Sequence, residues 1–357
     1  MFYQITIENS STSLGSIDTI IYDQASISKA LVTFTQLVLL PVISFIGISG
    51  NVISIVILSR DGLHKCSNVL ICVLAVADSM YLIGINNVPN ILMNQDFTTA
   101  CRLNDLVAVL FAIVNNLFSM LENTGMIVSM LVPTLIVVER FVAVFFPFHF
   151  TKIVTPLRNR VAAACLFPLA IPLLTMNVFI YHDAIICNGT DVIFTLMGAK
   201  LEVIQIYTLL TKIYSTVCGP VSVCFVSFGC VLISIKVHAQ QSVRRAIITR
   251  RKSAHGREGK LHKDSERDPE FFKSTRTTKI LISVCCVYSL TGTLSFMSDL
   301  VVTPQNVGFE MSFWIHRASL VCISLNSTAN FIIYVAFNRK FRDAYVTMFF
   351  YSIRRKK

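Results

Sequence analysis

Leu31–Ser59 runs without a single charged side chain. A helix needs only about 20 apolar residues to cross the hydrocarbon core of a bilayer. In lipid every backbone N–H and C=O must be paired internally, so such a stretch has to be helical. Six more long apolar stretches follow, none with more than one charged residue: Val69–Met93, Leu106–Val138, Val161–Tyr181, Val203–Ile235, Ile280–Val302 and Ala318–Phe337. Hydrophobic residues fill 54% of the 357 positions and charged residues 14%, against about a quarter charged in soluble domains. The expectation is an all-α membrane protein: a seven-transmembrane helix bundle with no soluble second domain, internal repeat or low-complexity tract. The third and fifth stretches exceed one crossing and are expected to tilt or project. Residues 1–30 have no basic head followed by an apolar run, so the first helix is expected to act as its own insertion signal.

Lys and Arg in the connections set the expected orientation. Arg60, Lys65, Lys152, Arg158 and Arg160 fall on one side. On that side too lies the loop 238–279, with twelve Lys/Arg against five Asp/Glu. The tail beyond Phe337 holds seven Lys/Arg against Asp343 alone. The carboxyl terminus is thus expected in the cytoplasm and the amino terminus outside. Residues 1–30 form an extracellular segment, 31–337 the bundle, and 338–357 a short amphipathic surface helix with a basic tail. The net charge of +11 then faces the cytoplasm, where it serves topology and attracts anionic membrane lipid. Basic residues parcelled between spans give no continuous surface for nucleic acid.

Most of the eleven cysteines fall inside spans, as small apolar residues do. Cys101 and Cys187 fall in outward connections, where a disulfide can persist. Asn9 and Asn188 begin glycosylation acceptor triplets on the same side.

Polar side chains in hydrocarbon are costly and are functional candidates by default. At about 1.5 Å per residue, Asp78, Ser129, Asn51 and Asn330 reach similar depths near the middle of the membrane, with Asn326 one turn above Asn330. Two readings stay open. One is interhelical hydrogen-bond glue worth about 0.6 kcal/mol per contact. The other is a hydrated cluster around an ionised Asp78 that holds a small hard cation such as Na+.

Gly50-Asn51-Val52, Leu74-Ala-Val-Ala-Asp78, Glu139-Arg140-Phe141 with Pro147 beyond it, Pro220, and Asn330-Phe-Ile-Ile-Tyr334 followed by Phe341 occur in this order. Together they resemble the signatures of rhodopsin-like (class A) G-protein-coupled receptors across all seven spans. Gly62-Leu-His-Lys-Cys-Ser-Asn68, Ala143-Val-Phe-Phe-Pro147 and Ile153-Val-Thr-Pro156 are similar to runs in invertebrate FMRFamide-type peptide receptors and molluscan chemosensory receptors. The resemblance implies a plasma-membrane receptor that passes an extracellular peptide or small-molecule signal to a heterotrimeric G protein. Glu139, Arg140, Asn330 and Tyr334 would serve coupling and activation. Arg140 would be held by Glu139 at rest and turn to the G protein on activation. Glu122, Asn123, Met126 and Lys212 would face the ligand. Ser242, Ser253, Ser265 and Ser274 are candidate phosphorylation sites or simply solvated serines.

The chain also departs from that pattern. The sixth span lacks the Cys-Trp-x-Pro motif, Phe228 stands where a tyrosine is usual, Phe331 replaces the seventh-helix proline, and Pro133 is expected to interrupt the third helix. Cys101 lies 39 residues before Arg140, about 58 Å of helix. That is too far for the usual cysteine at the top of the third helix, so its pairing with Cys187 stays open. Glu122 and Lys212 either bridge each other or meet an amine and a carboxylate on the ligand. Ser324 stands where a chromophore lysine would, which disfavours a light receptor. A transporter or channel using Asp78, Glu122 and Lys212 is the alternative, but the chain shows no inverted repeat. No nucleophile elbow, metal-ligand spacing or phosphate loop suggests an enzyme.

Overall fold

Spans are numbered here in chain order. The computed structural model describes residues 30–88, 105–172, 186–188, 191–193, 201–254, 282–293, 309–337 and 341–347. Among these, five helices are long and apolar enough to cross a membrane: Ala30–Asp61, Cys66–Gly84, Ile113–Phe145, Gln205–Gln240 and Trp314–Phe337. Pro156–Ala164 with the 3-10 turn Phe167–Ala170, and the apolar helix Ile282–Thr293, supply the described parts of the fourth and sixth spans. The chain is a seven-transmembrane helix bundle.

The bundle has an apolar core but, unlike a soluble protein, also turns large apolar side chains outward and buries polar ones. Phe45 and Phe228 stand 76% and 67% exposed, while Asp78, Asn51, Ser54, Ser324 and Ser327 are buried. Lipid tails are as apolar as leucine, so close packing and interhelical hydrogen bonds hold such helices together. Glycine provides the close packing between the second and third spans. A Cβ on Gly84 would fall 2.2 Å from the Glu122 backbone nitrogen, and one on Gly125 would fall 2.3 Å from that of Tyr81. The second and third spans are also the most enclosed, 56% buried against 22% for the first.

Prolines shape the helices without ending them. Proline has no N–H to donate and its ring crowds the preceding turn. Just before Pro41 the first span widens into a π turn at Thr35–Leu39. A second π turn at Val217–Val221 carries Pro220, with Gly219 at a non-helical φ −92, ψ −108. Pro133 does not interrupt the third helix, which runs unbroken from Asp105 to Phe145. It leaves the Ser129 carbonyl without its usual donor, and the neighbouring Met130 carbonyl accepts hydroxyls from other spans.

Helix ends differ from the hydropathy boundaries. The second helix closes at Gly84, short of Met93. There the Asn86 amide turns back to the Leu82 carbonyl (2.6 Å) and to Ser44 Oγ (2.7 Å). The third runs past Val138, so Arg140 lies within the helix and not at its end. The fifth continues to Ala254, so the start of the 238–279 loop is helix. Nothing between Gly229 and Gly256 breaks it, since that stretch has no glycine or proline. The seventh begins at Phe309 rather than Ala318. Trp314 and Arg317 therefore lie on it, and the Gln36 amide oxygen accepts from Arg317 Nη1 (2.7 Å) and Nη2 (3.2 Å). Residues 341–347 form the short helix expected after the bundle.

Candidate functional site

Two polar centres lie in the bundle. The first surrounds Asp78, which is wholly buried. Ser129 Oγ donates to Oδ1 at 2.5 Å and Asn330 Nδ2 donates to Oδ2 at 2.7 Å. The second, third and seventh spans thus meet on one carboxylate. Asn51 does not reach it; its Nδ2 donates to the Ser327 carbonyl at 3.2 Å and ties the first span to the seventh beside the site. Asn326 is buried but makes no hydrogen bond to Asp78. The carboxylate and the Ser129 hydroxyl bring oxygens together here, while the Asn330 amide presents its N–H side to Oδ2.

The second centre lies toward the end of the third span. Glu139 and Arg140 are 4% and 8% exposed. Arg140 Nη2 donates to Glu139 Oε1 at 2.8 Å. Ser67, at the start of the second span, donates to the same oxygen at 2.9 Å and itself accepts from Arg140 Nη2. Asn159, near the start of the fourth span, donates to Oε2 at 3.0 Å. Fixing Asn159 there, the Thr155 side chain accepts from the Arg158 backbone, with Pro156 in the first helical turn. Arg140 also borders a small cavity lined by Ile136, Val137, Cys230, Ile233, Ile282 and Cys285.

Between the two centres the third, fifth and sixth spans share a hydroxyl cluster. Ser222 Oγ donates to the Met130 carbonyl at 3.0 Å, and the Tyr288 hydroxyl lies 3.0 Å from both oxygens. Ser222 and Tyr288 are buried. In this sixth span, which lacks the usual tryptophan and proline, Tyr288 provides the polar tie. Phe331, in place of the seventh-helix proline, sits against Gly50, where a Cβ would come within 2.7 Å of its ring. It packs on Phe341 (6.2 Å) and Tyr345 (5.7 Å), while Tyr334 packs on Phe341 (5.8 Å). Phe228 points outward.

Residues 50–334, well over half of the chain, match the family described as 7 transmembrane receptor (rhodopsin family). The chain belongs to the rhodopsin family of seven-transmembrane receptors. No curated relative matches it. As a member of that family it is a multi-pass plasma-membrane receptor, and the family implies an extracellular ligand and a G protein as partners.

The residues expected to meet the ligand are spread around this receptor's bundle. Glu122 is partly buried and forms no ion pair with a described residue. Lys212 is exposed on the fifth span, so the two do not bridge each other. Asn123 Nδ2 donates to the Ser119 carbonyl of its own helix at 2.8 Å, and Met126 packs against the apolar core. Ser324 is buried and bonds the Leu320 carbonyl. Cys187 and Asn188 lie on a short hairpin, Ile186–Asn188 paired with Asp191–Ile193. Cys101, Asn9, Ser265 and Ser274 lie outside the described residues. Ser242 is exposed and bonds the Ala239 carbonyl; Ser253 lies on the same helix.

Sequence reasoning missed Ser67, Asn159, Ser222 and Tyr288. Asn159 had a faint signal as an uncharged polar residue between Arg158 and Arg160, and Ser67 as a polar residue at a span end two positions after Lys65. Ser222 and Tyr288 had none, because hydroxyls are common in membrane helices.

Proposed function

We propose that this receptor couples an amine-bearing extracellular ligand, a short amidated peptide or a small chemosensory molecule, to a heterotrimeric G protein. Its amino terminus lies outside and its basic face in the cytoplasm. The observation that carries the reading is the buried Glu139–Arg140 pair, on the side of the bundle where the connections concentrate Lys and Arg. That pair is a two-state element whose equilibrium a ligand at the other end can bias. The test joins orientation to coupling. A tag before Leu31 is expected to be antibody-accessible on intact cells and one after Lys357 only after permeabilisation. Nucleotide exchange on G proteins is expected to rise with some member of a panel of amidated peptides and small amines. A reversed tag pattern, or exchange that no panel member changes, would overturn the reading.

For the ligand, Glu122 is the acid that takes an amine and Lys212 the base that takes a carboxylate. Support comes from the lack of an ion pair between them, which leaves the Glu122 carboxylate available. A hydrogen bond to a charged group contributes about 1.5–3 kcal/mol, so Glu122→Gln and Lys212→Gln should each weaken agonist binding by about tenfold or more. In the double variant the losses should add, as for independent sites. Near-normal affinity in either single variant would show that the residue does not meet the ligand.

A further inference from the structure

The Glu139–Arg140 pair is not alone at its end of the bundle. Glu139 accepts from three donors, and the two neutral ones come from different helices. They are not equivalent. Ser67 touches both members of the pair: it donates to Glu139 and accepts from Arg140. Asn159 touches Glu139 only, at the oxygen Arg140 does not use. The Arg140 Nε is buried without an acceptor, and the cavity beside it is walled by aliphatic side chains and thiols.

We propose that Ser67 and Asn159 are positioning residues with opposite effects on switching: Ser67 latches Arg140 in the resting pair, and Asn159 keeps Glu139 solvated once Arg140 leaves. The inference rests on the coupling role of Arg140 proposed above. When Arg140 turns away, its bond to Ser67 breaks, so that bond favours rest. Glu139 then remains as a buried carboxylate without its cation, a costly state unless other donors satisfy it. The Asn159 amide, on the other oxygen, can stay in place. It therefore carries more weight in the activated arrangement than in the resting one.

Switching of this kind can be read without any ligand. Receptor fused to G-protein α-subunits of each class is measured for ligand-independent binding of a non-hydrolysable GTP analogue, normalised to surface receptor. Ser67→Ala should raise that rate about tenfold, the effect of one hydrogen bond to a charged group. Ser67→Thr keeps the hydroxyl and should stay at the wild-type rate. Asn159→Ala should lower the rate several-fold, and it is also introduced into the Ser67→Ala background, where the starting rate is high enough to show a fall. Loss of packing alone would move both alanine variants the same way. An unchanged or lower rate in Ser67→Ala, or a higher one in Asn159→Ala, overturns the proposal. Adding Arg140→Ala to Ser67→Ala should abolish the rise. A rise that survives there would instead overturn the coupling role of Arg140, and the proposal with it.

Discussion

Arg140→Ala is expected to abolish agonist-stimulated nucleotide exchange while changing agonist affinity by no more than a few fold. Among the described residues, the guanidinium is the one positive charge held by Glu139, at 2.8 Å. In the proposed coupling role, that charge leaves the pair on activation and finds a partner on the G protein. A charge-assisted contact of this kind contributes about 1.5–3 kcal/mol, so its loss reduces coupling by about ten- to a hundredfold at minimum. Ligand binding should hardly change. Glu122 stands eighteen residues away on the same helix, about 27 Å, too far for Arg140 to touch a ligand held there. Removing one member of a buried pair destabilises by about 3–5 kcal/mol, so the single variant could fail to reach the surface. Arg140→Ala/Glu139→Gln leaves no unpaired charge and provides a second route to the same measurement. Surface-normalised exchange at wild-type level in either variant would mean that coupling in this receptor does not run through Arg140.

The spans were legible in the sequence because a bilayer imposes one strong requirement, a long run without charge. Their ends were less so, because helices do not stop where hydropathy does. The fifth helix continues to Ala254 through basic residues that water and headgroups solvate well. Arg317 sits on the seventh helix with its guanidinium on Gln36. Depth along a helix could be counted, which is why Asp78, Ser129 and Asn330 were grouped before their contacts were known. Azimuth and reach could not. Asn326 shares a face with Asn330 but sits one turn, about 6 Å, further along, and makes no bond to the carboxylate. Lys212 lies in the same half of the bundle as Glu122 yet does not meet it. The Tyr288–Ser222 bond joins residues 66 positions apart, and no local pattern announces such a pair.

Asp78→Asn is expected to abolish any dependence of receptor stability on Na+. Asp78 is completely buried and is faced by the neutral donors Ser129, Asn330 and Ser327 but by no cationic side chain among the described residues. A carboxylate in such a place needs a proton or a cation to offset its charge, because desolvating an isolated ion costs far more than a few neutral hydrogen bonds return. We propose that Na+ fills that role on the Asp78 carboxylate, beside the Ser129 hydroxyl and with the Asn330 amide turned to present its oxygen. An ion that binds only the folded receptor stabilises it by about 1.4 kcal/mol at ten times its Kd, a shift of a few degrees in melting temperature. Purified wild-type receptor should therefore melt a few degrees higher in NaCl than in choline chloride of equal ionic strength. The amide that Asp78→Asn introduces can still accept from Ser129, and Asn330 can rotate its own amide to match. The variant should accordingly remain folded and melt at one temperature in both salts. Wild-type receptor that melts equally in the two salts would leave Asp78, Ser129 and Asn330 as hydrogen-bonded glue between three helices.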